Sequence, residues 1–178
     1  MRKVLIILPV LVLAALFALF TLASLRGPKA PARSHLLGQS APAFSLPALD
    51  GDAPVSLSAY KGKTVLVNFF ASWCTPCRAE HPFLMQLKTD GVLIIGIDYK
   101  DKPAAARQML DELGDPFAAI GQDADGRTGI DFGITGVPES FVIGADGTVL
   151  ANWPGPIDQS VLESKILPAL HPGGGAAD

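Results

Sequence analysis

Hydrophobic residues form one uninterrupted segment near the start of the chain, directly after Arg2 and Lys3. Residues 4–25 carry no charge, and as a helix they would span roughly 33 Å, the thickness of a bilayer's hydrocarbon core. We therefore predict an uncleaved signal anchor, a transmembrane helix over residues 1–25 with the N-terminus inside and the rest of the chain outside. A cleaved signal peptide is the alternative, because it also begins with a short basic stretch.

The two segments on either side of residues 38–170 are rich in residues that disfavour regular structure. Residues 26–37 include the sequence GPKAPA, which is typical of an extended, solvated linker. Residues 171–178 are rich in glycine and alanine and predict a flexible tail. This leaves residues 38–170 as one domain.

Within this domain, short hydrophobic runs alternate with segments of helical character. Runs typical of buried strands cover residues 64–70, 91–98 and 117–120, and helices are predicted over residues 76–89 and 103–113. Strands joined by helices pair in parallel. This part of the chain therefore predicts the centre of a parallel sheet.

Antiparallel pairs are predicted on both sides of this series. Residues 43–46 and 55–57 flank one turn, residues 140–143 and 148–151 flank another, and a last helix begins at Asp158 and ends near residue 170. We therefore predict an α/β fold with a central mixed sheet flanked by helices and an extra N-terminal strand pair.

The charge of the predicted exported part is acidic. The chain has 14 Lys+Arg and 17 Asp+Glu, so that without Arg2 and Lys3 the net charge is about −5. No run of basic residues is present. Nucleic acid and anionic lipid surfaces are therefore poor candidates as partners.

Both cysteines of the chain, Cys74 and Cys77, lie in one CxxC motif between a predicted buried strand and a predicted helix. A zinc site usually needs four ligands, and the three histidines are scattered along the sequence. A purely structural disulfide that closes so short a loop would remove little chain entropy. We therefore predict a redox-active disulfide between Cys74 and Cys77, with no metal and no further cofactor.

The placement of the two cysteines predicts their roles. A thiolate is stabilised at a helix N-terminus, where unpaired N–H groups and the helix dipole favour negative charge. Cys74 is expected to be the exposed nucleophile, and Cys77, one turn into the helix, to be more buried and to resolve the mixed disulfide. Trp73 is expected to shield the pair and to contact substrates, with ordinary packing as the alternative.

Three stretches carry a family resemblance: VNFFASWCTPCRAEHP at residues 67–82, IDYKD at 97–101 and DFGITGVPESFVI at 131–143. Together with the predicted anchor they resemble the thioredoxin superfamily and, within it, DsbE/CcmG, the membrane-anchored thiol:disulfide interchange proteins of cytochrome c biogenesis. The resemblance extends from about residue 37 to residue 170.

The resemblance implies a thioredoxin-like fold and further site residues. Val137–Pro138 would be a cis-proline turn that faces the cysteines, and the Val137 backbone would bind an extended substrate peptide. The family's acidic positions around the cysteines fall on Glu80 and Glu139. Trp73, Val137, Pro138 and Glu139 are accordingly expected to bind substrate.

One position departs from general thioredoxins, which have a buried Asp where this chain has Asn68. Because Asn cannot act as a base and Glu80 follows Cys77 by three residues, we hypothesise that Glu80 exchanges a proton with Cys77 and has a pKa raised by partial burial. A solvent-facing Glu80 is the alternative. The neighbouring His81 is predicted to lie on the helix surface.

These features predict a monomeric reductant on the periplasmic side of a bacterial inner membrane. Its partners would be apocytochrome c with its CxxCH motif, or a maturation protein that holds it, and a membrane thiol reductase would supply electrons. One alternative is a general anchored thioredoxin that acts on other exported disulfides. The other is a protein that uses its thiols to handle metal or haem.

Overall fold

The computed structural model describes residues 12–21, 35–51 and 53–171, and the chain divides into two units, Met1–Ala32 and Arg33–Asp178. In the first unit, residues 12–21 are helical. The remainder of the predicted anchor and most of the predicted linker and tail lie outside the described residues. Within the part described, no helix is both long enough and apolar enough to cross a membrane.

The second unit contains seven strands among its described residues: β1 (Ser45–Leu46), β2 (Val55–Ser56), β3 (Val65–Phe70), β4 (Ile94–Tyr99), β5 (Ala119–Asp123), β6 (Glu139–Ile143) and β7 (Val149–Pro154). The helices are α1 (Thr75–Thr89), α2 (Pro103–Leu113), α3 (Arg127–Phe132) and α4, a segment made of α-helical Gln159–Val161, a π-helical turn Leu162–Ile166 and α-helical Leu167–Leu170. A 3-10 turn covers Leu57–Tyr60.

Strands β3 to β7 form one mixed sheet in the order β5-β4-β3-β6-β7. Strand β3 pairs in parallel with β4, and β4 with β5, whereas β3–β6 and β6–β7 are antiparallel. Strands β1 and β2 form a separate antiparallel pair. The predicted mixed sheet and both predicted antiparallel pairs are confirmed.

Alternate residues of β3 supply two hydrophobic cores, one on each face of the sheet. Leu66 and Phe70 pack in a core that contains buried side chains of α1, α2 and α4. Val67 and Phe69 pack in the other core, with Phe132 of α3 and residues from the N-terminal strand pair. Since every residue of β3 is buried, its run of apolar residues reflects cover on both faces.

Two helix boundaries show what the pattern could and could not predict. Asp158 begins the last helix as predicted, because its carboxylate accepts a hydrogen bond from the Val161 N–H at 2.8 Å. Helix α3 was not predicted. It is short and lies between Gly126 and Gly133, both in the left-handed region with φ of 75° and 67°, and glycines at such spacing are typical of turns.

Candidate active site

The two cysteines form a disulfide at the start of α1. Cys74 is the N-cap residue of this helix, and its sulfur accepts a hydrogen bond from the Cys77 backbone N–H at 3.1 Å. Strand β3 ends at Phe70, so that the disulfide lies just beyond the carboxyl end of a central strand. After reduction, the Cys74 sulfur would lie where the helix N-terminus favours a thiolate.

Both cysteines are buried in this oxidised form, with 3% of Cys74 and 2% of Cys77 exposed. The prediction of an exposed Cys74 beside a more buried Cys77 is therefore wrong for the disulfide form. The loop opposite explains the burial, because the Val137 carbonyl oxygen lies 3.4 Å from the Cys74 sulfur. A disulfide sulfur has no proton to donate, whereas a thiol at this position would donate to the carbonyl.

The Val137–Pro138 peptide bond is cis, as the resemblance implied. The carbonyl oxygen of Pro138 accepts a hydrogen bond at 2.9 Å from the Gly155 N–H, which joins this turn to the segment after β7. A groove of about 310 Å³ lies between the two, lined by Pro76, residues 135–139 and residues 154–156. The arrangement offers space for an extended peptide beside the disulfide.

Trp73 directly precedes the disulfide and is the most exposed aromatic side chain near it, with 59% of its surface accessible. Its indole N–H donates to the Lys100 carbonyl oxygen at 3.3 Å. The ring is therefore held at its polar edge while its faces remain largely open to solvent. This geometry agrees with a contact surface better than with ordinary packing.

Glu80 is fully buried, which rules out the solvent-facing alternative. Its Oε1 accepts from the Asn68 side-chain amide and its Oε2 from the Ile157 backbone N–H, both at 2.9 Å. Burial raises the pKa of Glu80 to about 7, and these two hydrogen bonds lower it only in part. The predicted rise in pKa thus has the cause that we hypothesised, and burial is complete rather than partial.

Asn68 connects Glu80 to the neighbouring strand. Its amide N–H₂ group donates to Glu80 and also to the Ser140 hydroxyl at 3.0 Å, and it is fully buried. Among the described residues, the Asn68 Oδ1 has no hydrogen-bond partner. The Asn68 amide stabilises an ionised Glu80, while burial of the carboxyl favours its neutral form. The pair therefore suits a carboxyl group that gains and loses a proton near neutral pH.

His81 does not lie on the helix surface, and that prediction is wrong. It is 3% exposed, and its Nε2 lies 2.8 Å from the Gly114 carbonyl oxygen, at the end of α2. Burial lowers the pKa of His81, and the hydrogen bond to Gly114 opposes this in part. His81 therefore joins α1 to the end of α2, and its burial favours the neutral form.

Glu139 begins β6 and lies opposite Phe69 of β3. It is 4% exposed, and its carboxylate accepts from the Asn152 side-chain amide at 2.8 Å and from the Thr135 N–H at 3.3 Å. Burial raises the pKa of Glu139, while these hydrogen bonds lower it. Because Glu139 and Ser140 alternate along β6, Glu139 and Glu80 lie on opposite faces of the sheet.

Asp98 is a site residue that the sequence analysis did not single out on its own. It lies near the end of β4 next to Phe70, is 2% exposed, and its pKa is raised to about 7, first by burial and then by Asp101. The available signal was a charged residue at the end of an otherwise apolar strand. Among residues 12–21, 35–51 and 53–171, no group of three or more His, Cys, Asp or Glu side chains is arranged to hold a metal ion.

Known proteins resemble this chain over most of its length. The family model named Redoxin matches residues 36–166. The thiol:disulfide interchange protein HelX of Rhodobacter capsulatus is 40% identical over 171 residues, 96% of this chain and 97% of HelX. The thiol:disulfide interchange protein DsbE of Escherichia coli is 39% identical over 137 residues, 76% of this chain and 74% of DsbE.

The fold also resembles that of solved structures. The crystal structure of a thiol:disulfide interchange protein of the thioredoxin family from Chlorobium tepidum has a TM-score of 0.62 and 33% sequence identity, and the match covers 79% of this chain and 99% of that one. The predicted thioredoxin-like fold is thereby confirmed. With a disulfide at a helix start, opposite a cis-proline turn, this chain belongs to the Redoxin family and to its DsbE-type thiol:disulfide interchange proteins, and it is a thiol-disulfide oxidoreductase.

Proposed function

We propose that this oxidoreductase is a membrane-anchored, periplasmic reductant of cytochrome c maturation. It would keep the CxxCH thiols of apocytochrome c, or of a partner thiol protein, reduced for haem attachment. The observation that carries the proposal is the Cys74–Cys77 disulfide at a helix N-terminus, opposite the cis Val137–Pro138 turn, with an open groove that is lined by Pro76 of the same motif. The uncharged segment at residues 4–25 supports the anchor, and the DsbE and HelX relatives support the pathway.

The reduced form would act in two exchange steps. The Cys74 thiolate attacks one sulfur of the partner disulfide, the partner S–S bond breaks, and one partner sulfur leaves as a thiolate. The Cys77 thiolate then attacks Cys74, the mixed disulfide breaks, and the second partner thiolate leaves. Two electrons pass to the partner, its two thiolates take up protons from the solvent, and the chain ends in the disulfide form.

Glu80 would serve the second of these steps. Cys77 must lose its proton before it attacks, and it is 2% exposed, so that bulk water is a poor acceptor for this proton. Glu80 lies one turn further along α1, is buried, and has a pKa of about 7. Such a carboxylate can accept a proton near neutral pH and can return it in the reverse direction.

A source of electrons is a chemical requirement of the proposal. Thiols in an oxidising compartment become disulfides unless a donor reduces them again. The disulfide form must therefore meet a dithiol donor, and we propose a membrane thiol reductase beside the anchor. The same groove and the same sulfur, Cys74, would serve both donor and substrate, since both reactions proceed through a mixed disulfide.

The test is a trap for mixed disulfides in the native host. In a Cys77→Ala variant, the second step is blocked, and partners should remain bound to Cys74. Proteins recovered from this variant and absent from a Cys74→Ala control would be identified by mass spectrometry. We expect apocytochrome c or a maturation thiol protein. Recovery of unrelated exported proteins in their place would reject the specific role and favour a general anchored thioredoxin.

A further inference from the structure

The turn that follows β4 is hydrogen-bonded to the residues that precede Cys74. The Ser72 backbone N–H donates to Oδ2 of Asp101, and the Trp73 indole N–H donates to the Lys100 carbonyl oxygen at 3.3 Å. We call residues 99–101, which are the last residue of β4 and the two that follow it, the β4 turn. The β4 turn therefore holds the polar edge of the Trp73 ring beside the disulfide.

The backbone of the β4 turn is in an unfavourable conformation that other contacts maintain. Lys100 has φ of 48°, in the left-handed region that non-glycine residues seldom adopt. Its N–H donates to the Asp123 carbonyl oxygen at 3.0 Å, and Oδ1 of Asp101 accepts from the Lys102 N–H at 2.7 Å. Such a turn is expected to relax when one of its contacts is lost.

Asp98 is the last residue of β4 before this turn and lies three residues before Asp101. Its pairing partners on the sheet are Phe70 of β3 and Gln122 of β5, neither of which titrates near neutral pH. Asp98 hydrogen-bonds the Asp101 carboxyl, and its Oδ1 has no partner among the described residues. Two carboxyl groups can share a hydrogen bond only when one of them holds a proton.

The nearby charged side chains do not neutralise Asp98. Lys100 Nζ lies over the Tyr99 ring, 5.1 Å from its centroid, and Arg107 of α2 pairs with Asp50. From α1, the buried titratable side chains are Glu80 and His81, which are hydrogen-bonded to Asn68 and Ile157 and to Gly114, respectively. Asp101 is thus the charged group that acts on Asp98, and it opposes ionisation of that residue.

We propose that Asp98 is a positioning residue for Trp73: its neutral carboxyl donates to Asp101 and holds the β4 turn, and its ionisation separates the two carboxylates and releases the turn. The Ser72 N–H and the Trp73 indole N–H would lose their fixed acceptors in the ionised state. The Trp73 ring would then be less ordered beside the disulfide. The consequence for substrates rests on the proposed function, in which Trp73 contacts the partner.

The first experiment observes the turn itself. In oxidised full chain in detergent micelles, the ¹⁵N–¹H signals of the Trp73 indole and the Ser72 amide are followed from pH 5 to pH 9. We expect both signals to shift with one midpoint near 7. In Asp98→Asn, whose amide can donate to Asp101 at every pH, that transition should be lost, and the signals should stay at the low-pH position.

Two further variants make the result specific. Glu80→Gln, which removes the other carboxyl that titrates near 7, should retain the transition. Asp98→Ala, which cannot donate to Asp101, should show the high-pH signals throughout. The inference is overturned if the transition persists in Asp98→Asn, or if Asp98→Ala shows the low-pH signals of the wild-type chain.

The second experiment measures whether the binding of a substrate peptide depends on the ionisation of Asp98. We expect the KM for an oxidised CxxCH peptide to rise about fivefold between pH 6 and pH 8.5 in the wild-type chain, the effect of losing one ordinary hydrogen bond. In Asp98→Asn, KM should not rise. If the NMR transition depends on Asp98 and KM does not, the positioning role stands and the role of Trp73 as a partner contact in the proposed function fails.

Discussion

Asn68 donates its side-chain amide to Glu80 Oε1 at 2.9 Å, and both side chains are fully buried beside the disulfide-bearing helix. General thioredoxins resemble this arrangement but carry an acid where this chain has Asn68. Here the acid has moved to α1, and the amide has become its hydrogen-bond partner. In the proposed function, Glu80 would supply from α1 the buried acid that general thioredoxins carry at the position of Asn68.

Substitution of Glu80 by Gln should remove a proton acceptor without changing the shape of the side chain. We expect disulfide exchange to slow on the order of 10²-fold, as is usual on loss of a general base, and the Glu80 inflection near pH 7 to vanish from the profile of the maximal rate at saturating peptide. Stopped-flow kinetics with a disulfide peptide would measure both.

Asp98→Asn is the matched control for this experiment, because Asp98 also titrates near pH 7. Its rate profile should retain the Glu80 inflection. An unchanged profile in Glu80→Gln would reject the proton-exchange role of Glu80 and leave the acid as a structural partner of Asn68.

Substitution of Asn68 by Asp should restore the acid of general thioredoxins and place two carboxyls side by side. Because like charges in a buried site oppose ionisation, we expect the free energy of unfolding to fall by on the order of 3 kcal/mol at pH 8 and by less at pH 5. Urea denaturation of the oxidised chain at the two pH values would measure the difference.

Ser140→Ala removes the other partner of the Asn68 amide without adding charge. It should cost about 1 kcal/mol at both pH values. If Asn68→Asp were equally destabilising at pH 5 and pH 8, the added charge would not be the cause, and altered packing would explain the loss.

The two acids with raised pKa values predict how stability depends on pH. Glu80 and Asp98 bind protons in the folded chain up to about pH 7, and in the unfolded chain only up to about pH 4. Their contribution to the free energy of unfolding is therefore full below about pH 4 and is lost as pH rises through about 7. The loss should be on the order of a few kcal/mol.

Replacement of both acids by their amides should remove this dependence. We expect the double variant to lose less stability than the wild-type chain between pH 5 and pH 8, because the contribution of Glu80 and Asp98 is gone while those of other titrating groups remain. Denaturation midpoints of the oxidised proteins would show it. Equal slopes in both proteins would mean that neither carboxyl is protonated in the folded chain at pH 5 to 7.

His81 has the opposite effect on the pH dependence of stability, because burial lowers its pKa. Its contribution to stability is present above about pH 6.5, the ordinary value for histidine, and is lost as pH falls below that value. His81→Leu, which cannot donate to the Gly114 carbonyl oxygen, should therefore cost about 1–3 kcal/mol at pH 8 and less at pH 5.

His171 is exposed and provides the comparison. His171→Leu should change the free energy of unfolding by no more than about 0.5 kcal/mol at either pH. A His81→Leu variant that behaved like this control would show that the contact between α1 and Gly114 adds nothing to stability.

The sequence alone was sufficient to predict the features that depend on residues close together along the chain. The hydrophobic run of β3, the CxxC motif and the predicted helix after it are local patterns, and all three are confirmed. The resemblance supplied the cis bond before Pro138, which no local pattern in this chain predicts. Residue Asn68 was recognised only because that resemblance set an expectation for its position.

Contacts between distant segments account for the two wrong predictions of exposure and for the complete burial of Glu80, which was expected to be partly buried. His81 is buried because Gly114, 33 residues away, supplies its hydrogen-bond partner. Glu80 is buried and hydrogen-bonded because Ile157, 77 residues away, donates its N–H. Cys74 is covered by Val137 in the loop opposite. Helix periodicity predicts the face on which a residue lies, and it cannot predict which distant segment covers that face.

The central claim is that Cys74 attacks and Cys77 resolves when the reduced chain transfers two electrons to a CxxCH disulfide. The most direct measurement mixes the reduced full chain with an oxidised CxxCH peptide and follows both products by acid quench and mass spectrometry. We predict one peptide disulfide reduced per chain oxidised, and in Cys77→Ala a mixed disulfide on Cys74. A reduced chain that leaves the peptide oxidised, or a mixed disulfide that forms on Cys77 in Cys74→Ala and not on Cys74 in Cys77→Ala, would contradict the claim.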